Sequence, residues 1–294
     1  MTEPFKYLTY SEDDEKWGLY LNVIGHDEIQ PDLKYPPKGH PKNYDFNWKE
    51  GRILDEFQII YITKGSGIFE TKTKKFEVKE GNVIFLYPFI WHRYKPDSKT
   101  GWTEYYVGFN GESARQMMEF FPSDEPVQYI GFNDEVYQAY LKLIDLVELE
   151  KIGYQQIAAG HVQFILGSIR QIVLNHSFAD NKIEKIINQA RLYMRSNLTR
   201  QFSMEEMAQE LNISYSLFRS EFKKYTGMPP GQYLLQLRVQ SAKYMLTNTD
   251  LTVKEIAYAA GFESPYYFSK TFKKHVGTPP VNFRQMGIES RSKA

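Results

Sequence analysis

Hydrophobic positions change their spacing along this chain. Between Arg52 and Asn110 they form short runs rich in aromatic and β-branched residues: Phe57-Gln58-Ile59-Ile60-Tyr61-Ile62, Ile68-Phe69-Glu70-Thr71, Phe76-Glu77-Val78 and Val83-Ile84-Phe85-Leu86-Tyr87. Gly65-Ser66-Gly67 and Glu80-Gly81-Asn82 read as turns, and Pro88 closes the last run. Short strands at this rhythm predict a β-sandwich or barrel over about 52–110. Ahead of it, Pro31, Pro36, Pro37, Pro41 and Gly39 predict irregular structure for residues 1–50, an arm or a disordered segment. From Glu112 to His176 the period becomes helical. Met117, Phe120 and Phe121 share one face, Val136, Tyr140, Leu143, Ile144 and Val147 a second, and Ile157, His161, Phe164, Ile165, Ile169, Ile172 and Val173 a third. These helices are more apolar than one contact with a barrel requires; either they pack on the barrel or, as preferred here, one face forms a dimer interface.

Ser177 to Lys182 lacks periodicity and reads as a linker. Beyond it, Ile183, Ile186, Ile187, Ala190, Tyr193 and Met194 mark an amphipathic helix, and then the pattern repeats. Phe222-Lys223-Lys224-Tyr225-Thr226-Gly227-Met228-Pro229-Pro230 returns fifty positions later as Phe272-Lys273-Lys274-His275-Val276-Gly277-Thr278-Pro279-Pro280. Such self-similarity marks one supersecondary unit used twice. Each copy opens on an N-cap with glutamate three residues on, Ser203 with Glu206 and Thr252 with Glu255, the capping-box spacing. Asn212 and Gly261 then suit a tight turn with positive φ, and Ser214 and Ser264 stand at the start of a second helix. These features predict helix-turn-helix pairs at about 203–225 and 252–275. Phe218 and Phe222, and Phe268 and Phe272, are spaced i, i+4 and should pack inward. Pro230 to Leu246 reads as one linking helix, roughly 25 Å long at 1.5 Å per residue. It could hold two recognition helices about one DNA turn apart.

Zero net charge across 294 residues conceals an asymmetry. From Lys182 onward there are 17 Lys and Arg against 9 Asp and Glu, so the last part carries +8 and the rest −8. A basic module joined to an acidic one fits a DNA-binding domain with a separate partner domain. The absence of cysteine excludes disulfides, Cys-ligated zinc and thiol nucleophiles. No run of eighteen apolar residues and no basic-then-apolar leader over Met1 to Trp17 appears, so a cytoplasmic, non-membrane protein is expected.

Ile256-Ala257, Gly261-Phe262, Tyr267-Phe268-Ser269, Phe272-Lys273, Gly277, Pro279-Pro280 and Phe283-Arg284 resemble the signature of AraC/XylS-type transcription regulators. Gly65-x-Gly67, Gly81-Asn82-Val83, Pro88-x-x-x-His92-x-Tyr94 and the run from Trp102 to Phe109 are similar to the cupin-like sensor domain of that family. The resemblance implies an N-terminal all-β cupin-like barrel followed by helices, with ligand sensing and dimerisation in residues 1–178. It also implies a C-terminal all-α DNA-binding domain in residues 183–288 with two helix-turn-helix motifs.

On the recognition helices the outward stripes Ser216, Arg219 and Ser220, and Tyr266, Ser269 and Lys270, are candidates to read bases. Lys223, Lys224, Lys273 and Lys274 are candidates to meet phosphates or to form a solvated face. Arg219 is the best base reader, since its guanidinium matches guanine O6 and N7. The first copy departs from the family, which often carries arginine where Ser220 stands and a small residue where Arg219 stands. In the barrel, Trp91, Trp102, Tyr105 and Tyr106 offer rings for the C–H face of a saccharide, and Arg52, His92, Tyr94 and Glu104 offer polar forks. By resemblance to sugar-sensing members, Arg52, Tyr94, Glu104 and Tyr106 fall near sugar-contacting positions. His92 has no His-x-His neighbour, so neither a metal nor any other cofactor, nor an enzyme, is expected. The expectation is a sugar-responsive regulator, an activator more than a repressor. Its expected partners are double-stranded DNA, a carbohydrate effector, RNA polymerase and a second copy of the chain. The alternatives are a cupin-type metal enzyme with an appended DNA-binding domain and a regulator whose barrel binds a protein.

Overall fold

The computed structural model describes residues 5–33, 35, 48–176 and 181–292 and divides into two compact units, Met1–Ser177 and Phe178–Ala294. The expected linker at 177–182 falls mostly outside the described residues.

The first unit is an antiparallel sheet with helices on one face. Its elements are β1 (Phe5–Tyr7), α1 (Glu12–Trp17), β2 (Tyr20–Ile29), β3 (Phe57–Thr71), β4 (Lys75–Lys79), β5 (Asn82–Leu86), β6 (His92–Pro96) and β7 (Trp102–Asn110). They continue with α2 (Glu112–Met118), β8 (Val127–Tyr129), α3 (Asp134–Leu149) and α4 (Tyr154–His176). The strand order is β1-β2-β7-β3-β5-β8, with β4 and β6 paired to the far end of β3. One face of the sheet buries Ile59, Tyr61, Val107 and Phe109 against α3 and α4. The opposite face buries Val23, Ile60, Ile62, Phe69, Tyr94, Trp102 and Tyr106 inside the rolled sheet.

Three expectations need correction. Residues 1–50 are not uniformly irregular, because β2 is a ten-residue strand paired along most of β7. Its alternation is broken by a register shift between Leu21 and Val23, which hides the period. The shift turns Leu21 toward the helices and Val23 toward the interior. The buried amide of Gln155, on α4, holds the bulge: its Oε1 accepts from Leu21 N at 2.9 Å, and its Nε2 donates to Leu21 O at 3.1 Å. Next, Gly65-Ser66-Gly67 does not reverse the chain. β3 runs through it, pairing with β7 and β5 before the glycines and with β4 and β6 after them. Gly65, at φ +84°, lets the strand bend, and the Trp102 ring occupies the space a side chain at Gly67 would need. Lastly, Phe120 lies beyond α2 and is 62% exposed, and Ile157 and Phe164 face outward from α4 at 55% and 47%. The inner face of α4 is instead Ala158, Val162, Ile165, Leu166 and Ile169. Tyr154–Asn175 is long and apolar enough to cross a membrane by length and composition, and here it is the helix that covers the sheet.

The second unit contains α5 (Asn181–Ser196), α6 (Met204–Glu210), α7 (Tyr215–Thr226), α8 (Pro230–Asn248), α9 (Val253–Ala259), α10 (Pro265–Val276) and α11 (Pro280–Ser292). Both capping boxes form, at Ser203 with Glu206 and at Thr252 with Glu255. Asn212 and Gly261 take φ +54° and +83°. Phe218, Phe222, Phe268 and Phe272 are fully buried in two separate cores. The linking helix α8 serves both, with Leu234 in the first and Val239, Ala242 and Leu246 in the second. Its 19 residues span about 28 Å. Polar contacts pin the copies together: Arg238 Nε donates to Leu198 O at 2.9 Å, Arg238 Nη2 to Arg200 O at 2.9 Å, and Gln201 Nε2 to Gly261 O at 3.0 Å.

Candidate functional site

The repeat presents two matching helix surfaces. Ser214 caps α7 by accepting from Leu217 N, and Ser264 caps α10 by accepting from Tyr267 N. Gly227 and Gly277 end the two helices in the left-handed conformation. With the phenylalanines fixed inward, Ser216, Arg219, Ser220, Lys223 and Lys224 are exposed on α7. Tyr266, Lys270, Lys273 and Lys274 are exposed on α10, with Ser269 half-buried. Tyr266 is 78% exposed. The lysines crowd the last turn of each helix, where positive charge complements the helix dipole. Leu217 and Tyr267 are also exposed on the same two helices, and neither was among the candidate DNA-contacting residues. No polar spacing marks them, since an exposed apolar side chain leaves no periodic signal.

The second candidate site is the interior of the rolled sheet. Alternation along β7 turns Trp102, Glu104 and Tyr106 to this side and Tyr105 to the other, where its ring meets His26, Tyr137 and Tyr140. Alternation along β6 likewise turns His92 and Tyr94 inward. Trp91 falls outside the cluster: its Nε1 donates to Glu50 O at 2.7 Å, and its ring lines a surface cleft with Phe89 and Ile90. Arg52 enters from the segment before β3. Its Nε donates to His92 Nε2 at 3.2 Å, its Nη2 donates to Tyr94 Oη, and its guanidinium lies 5.1 Å from the Tyr94 ring centre. Tyr94 and Trp102 sit with ring centres 6.0 Å apart, and Tyr35 packs on both. Sequence reasoning missed Tyr35 and Asp27, both in the stretch read as irregular. Asp27 is the register partner of Glu104 across β2 and β7.

Among the described residues, four buried side-chain atoms make no hydrogen bond, and three belong to alternate residues of β7: Trp102 Nε1, Glu104 Oε2 and Tyr106 Oη. Unpaired buried polar atoms are costly and uncommon, so these three alternate residues make the inner side of β7 a candidate site for a polar ligand. The Tyr106 ring lies over Gly25, where any side chain would overlap it.

Burial also sets the charges. Glu104 is pushed up from 4.5 to about 8, first by burial and then by the charge of Asp27, with Arg52 opposing. Asp27 is pushed up to about 6 by burial. The nearby Tyr106 hydroxyl opposes that shift without making an ordinary hydrogen bond. His92 is pulled down to about 3 by burial and by Arg52. It is therefore neutral, with Nδ1–H donating to Ile90 O at 3.0 Å and Nε2 accepting from Arg52. Among the described residues no three His, Asp or Glu side chains gather as a metal-ligand set.

Comparison with known proteins gives the fold its family. Residues 207–286 match a helix-turn-helix domain model, and residues 35–163 match the AraC-like ligand binding domain. The transcriptional activator RhaR of Enterobacter sp. (strain 638) is 36% identical over 248 residues, covering 77% of this chain and 84% of that protein. This chain belongs to the AraC family. Like its relatives, this AraC-family member is a DNA-binding transcription regulator with a ligand-binding domain. The MmsAB operon regulatory protein of Pseudomonas aeruginosa is 26% identical over 240 residues, covering 79% of this chain and 76% of that protein. The lactose operon transcription activator of Staphylococcus xylosus is 24% identical over 236 residues, covering 79% and 85%.

Proposed function

We propose that this AraC-family regulator is a cytoplasmic, sugar-responsive activator that binds its effector inside the β-barrel and reads DNA with α7 and α10. The observation that carries the effector reading is the row of unpartnered atoms on β7 beside the rings of Tyr94 and Trp102. A saccharide needs rings for its C–H face and buried donors and acceptors for its hydroxyls, and this interior carries side chains of both kinds. The lactose operon activator among the relatives supports the same reading. A ligand that binds only the folded state raises its melting temperature. A thermal-shift panel of neutral and substituted monosaccharides and disaccharides is expected to contain at least one that stabilises the protein by several degrees. If none does, and a protein partner stabilises it instead, the sugar reading is lost.

In the DNA reading, Arg219 discriminates one base pair and the four lysines contact phosphates. Arg219→Ala is expected to cost about 1–3 kcal/mol on cognate DNA and much less on scrambled DNA. Lys223→Ala or Lys273→Ala should weaken both DNAs alike and reduce the salt slope by about one unit. Binding isotherms at several salt concentrations separate the two, and equal losses for Arg219→Ala on both DNAs would remove its base-reading role.

A homodimer is the further expectation, with RNA polymerase as partner at the promoter. The outward residues Ile157, His161 and Phe164 line a groove between α3 and α4 and supply the apolar face. Ile157→Glu with Phe164→Glu should yield a monomer in sedimentation; an unchanged mass would place the interface elsewhere.

A further inference from the structure

The interior of the rolled sheet contains more acid than a neutral sugar can use. Asp27 and Glu104 stand opposite each other on paired strands and turn to the same interior. Direct partners on one face of an antiparallel pair hold their Cβ atoms about 5 Å apart, and like charges there repel. Among the described residues neither carboxyl makes an ion pair, and Glu104 Oε2 makes no hydrogen bond although buried. The cation described in the cavity, Arg52, is directed to His92 through Nε and to Tyr94 through Nη2. Burial first, and then the charge of Asp27 opposite, favour the protonated form of Glu104.

From this we propose that the effector is a sugar bearing a basic amino group, with its ammonium seated between Asp27 and Glu104. The proposal rests on the barrel being the effector site. An ammonium has three donors and no acceptor, enough to meet both carboxylates at once. Bonds of this charge-assisted kind are about twice as strong as neutral ones. A neutral hydroxyl in the same place leaves the two carboxyls facing each other and still holding a proton. A phosphate or carboxylate adds a third anion beside them and finds Arg52 already engaged. The neighbouring side chains suit the remainder of an amino sugar. Trp102 Nε1 and Tyr106 Oη flank Glu104 two residues to either side as hydroxyl partners, and the Tyr94 and Trp102 rings are placed for the C–H face.

The test uses the full chain at pH 7 and isothermal titration with glucosamine and galactosamine. The comparison ligands are glucose, galactose, N-acetylglucosamine, glucose 6-phosphate and gluconate. At least one amino sugar is expected to bind ten-fold or more tightly than its neutral and N-acetylated counterparts, with the two anions weakest. Asp27→Asn and Glu104→Gln are each expected to cut that amine preference about ten-fold. Unliganded melting curves of both variants report whether they fold, and either one suffices. Equal or tighter binding of a neutral sugar, or binding of the phosphate, overturns the amine assignment and leaves the barrel as the sugar site. Binding of nothing in the panel overturns the amine assignment and the sugar reading together.

Discussion

Gly261→Ala is expected to reduce binding at a two-half-site DNA to the non-specific level, roughly a thousand-fold or more weaker. Gly261 sits between α9 and α10 at φ +83°, a conformation that costs an L-residue about 1–2 kcal/mol. The larger cost is contact. A methyl there would overlap the carbonyl oxygen of Leu198, which is also the acceptor of Arg238 Nε. Leu198 lies just ahead of α6, so the overlap pushes apart the two helix-turn-helix copies at the point where they are pinned. Both recognition helices can keep their own folds and still lose their mutual spacing. Gly227→Ala is the control: its φ is +81°, but nothing lies within 4 Å of the added atom. It should cost only the backbone term and leave DNA affinity within about ten-fold. Fluorescence anisotropy with single and paired half-sites checks both variants. If Gly261→Ala binds paired sites like the parent, the junction does not set the spacing.

Glu104→Gln is expected to make the unliganded sensor unit more stable than the parent at pH 8 and to flatten its pH dependence. In the folded state Glu104 keeps its proton up to about pH 8, whereas the unfolded chain releases it near 4.5. The stability this contributes is complete below 4.5 and is lost as pH rises through 8. Asp27 acts in the same direction between 3.8 and about 6. His92 acts oppositely: its depressed folded value means stability is gained as pH rises from about 3 to 6.5. Above 6.5 the Glu104 effect stands alone, at up to about 1.4 kcal/mol per pH unit. The parent should therefore lose about 2 kcal/mol between pH 6.5 and 8, and Glu104→Gln little of it. All four tryptophans, at 17, 48, 91 and 102, lie in the first unit, so their fluorescence during denaturation follows it selectively. A parent whose stability is flat over that interval would show that Glu104 ionises normally.

Local rules made the second unit legible. Capping boxes, left-handed turn residues and phenylalanine pairs act within a few residues of chain, and all reappear in the structure. The barrel was legible only in part. Buried-strand runs announced β3, β4 and β5, while β2 stayed hidden behind its bulge and the nearby prolines. Gly65 and Gly67 have the composition of a turn, yet here they bend a strand, because β3 exchanges neighbours at that point.

Sequence by itself determined the doubled helix-turn-helix and the charge division between the two parts, since caps, turns and charges are properties of the chain itself. Only the tertiary structure decided which side of β7 faces the interior of the rolled sheet, that Trp91 and Tyr105 lie outside it, and that Asp27 faces Glu104, seventy-seven positions away in sequence. That pairing depends on the one-residue bulge in β2 and on the Gln155 side chain that holds it. A shift of one residue exchanges the faces of a strand, and a contact from a distant helix sets that shift.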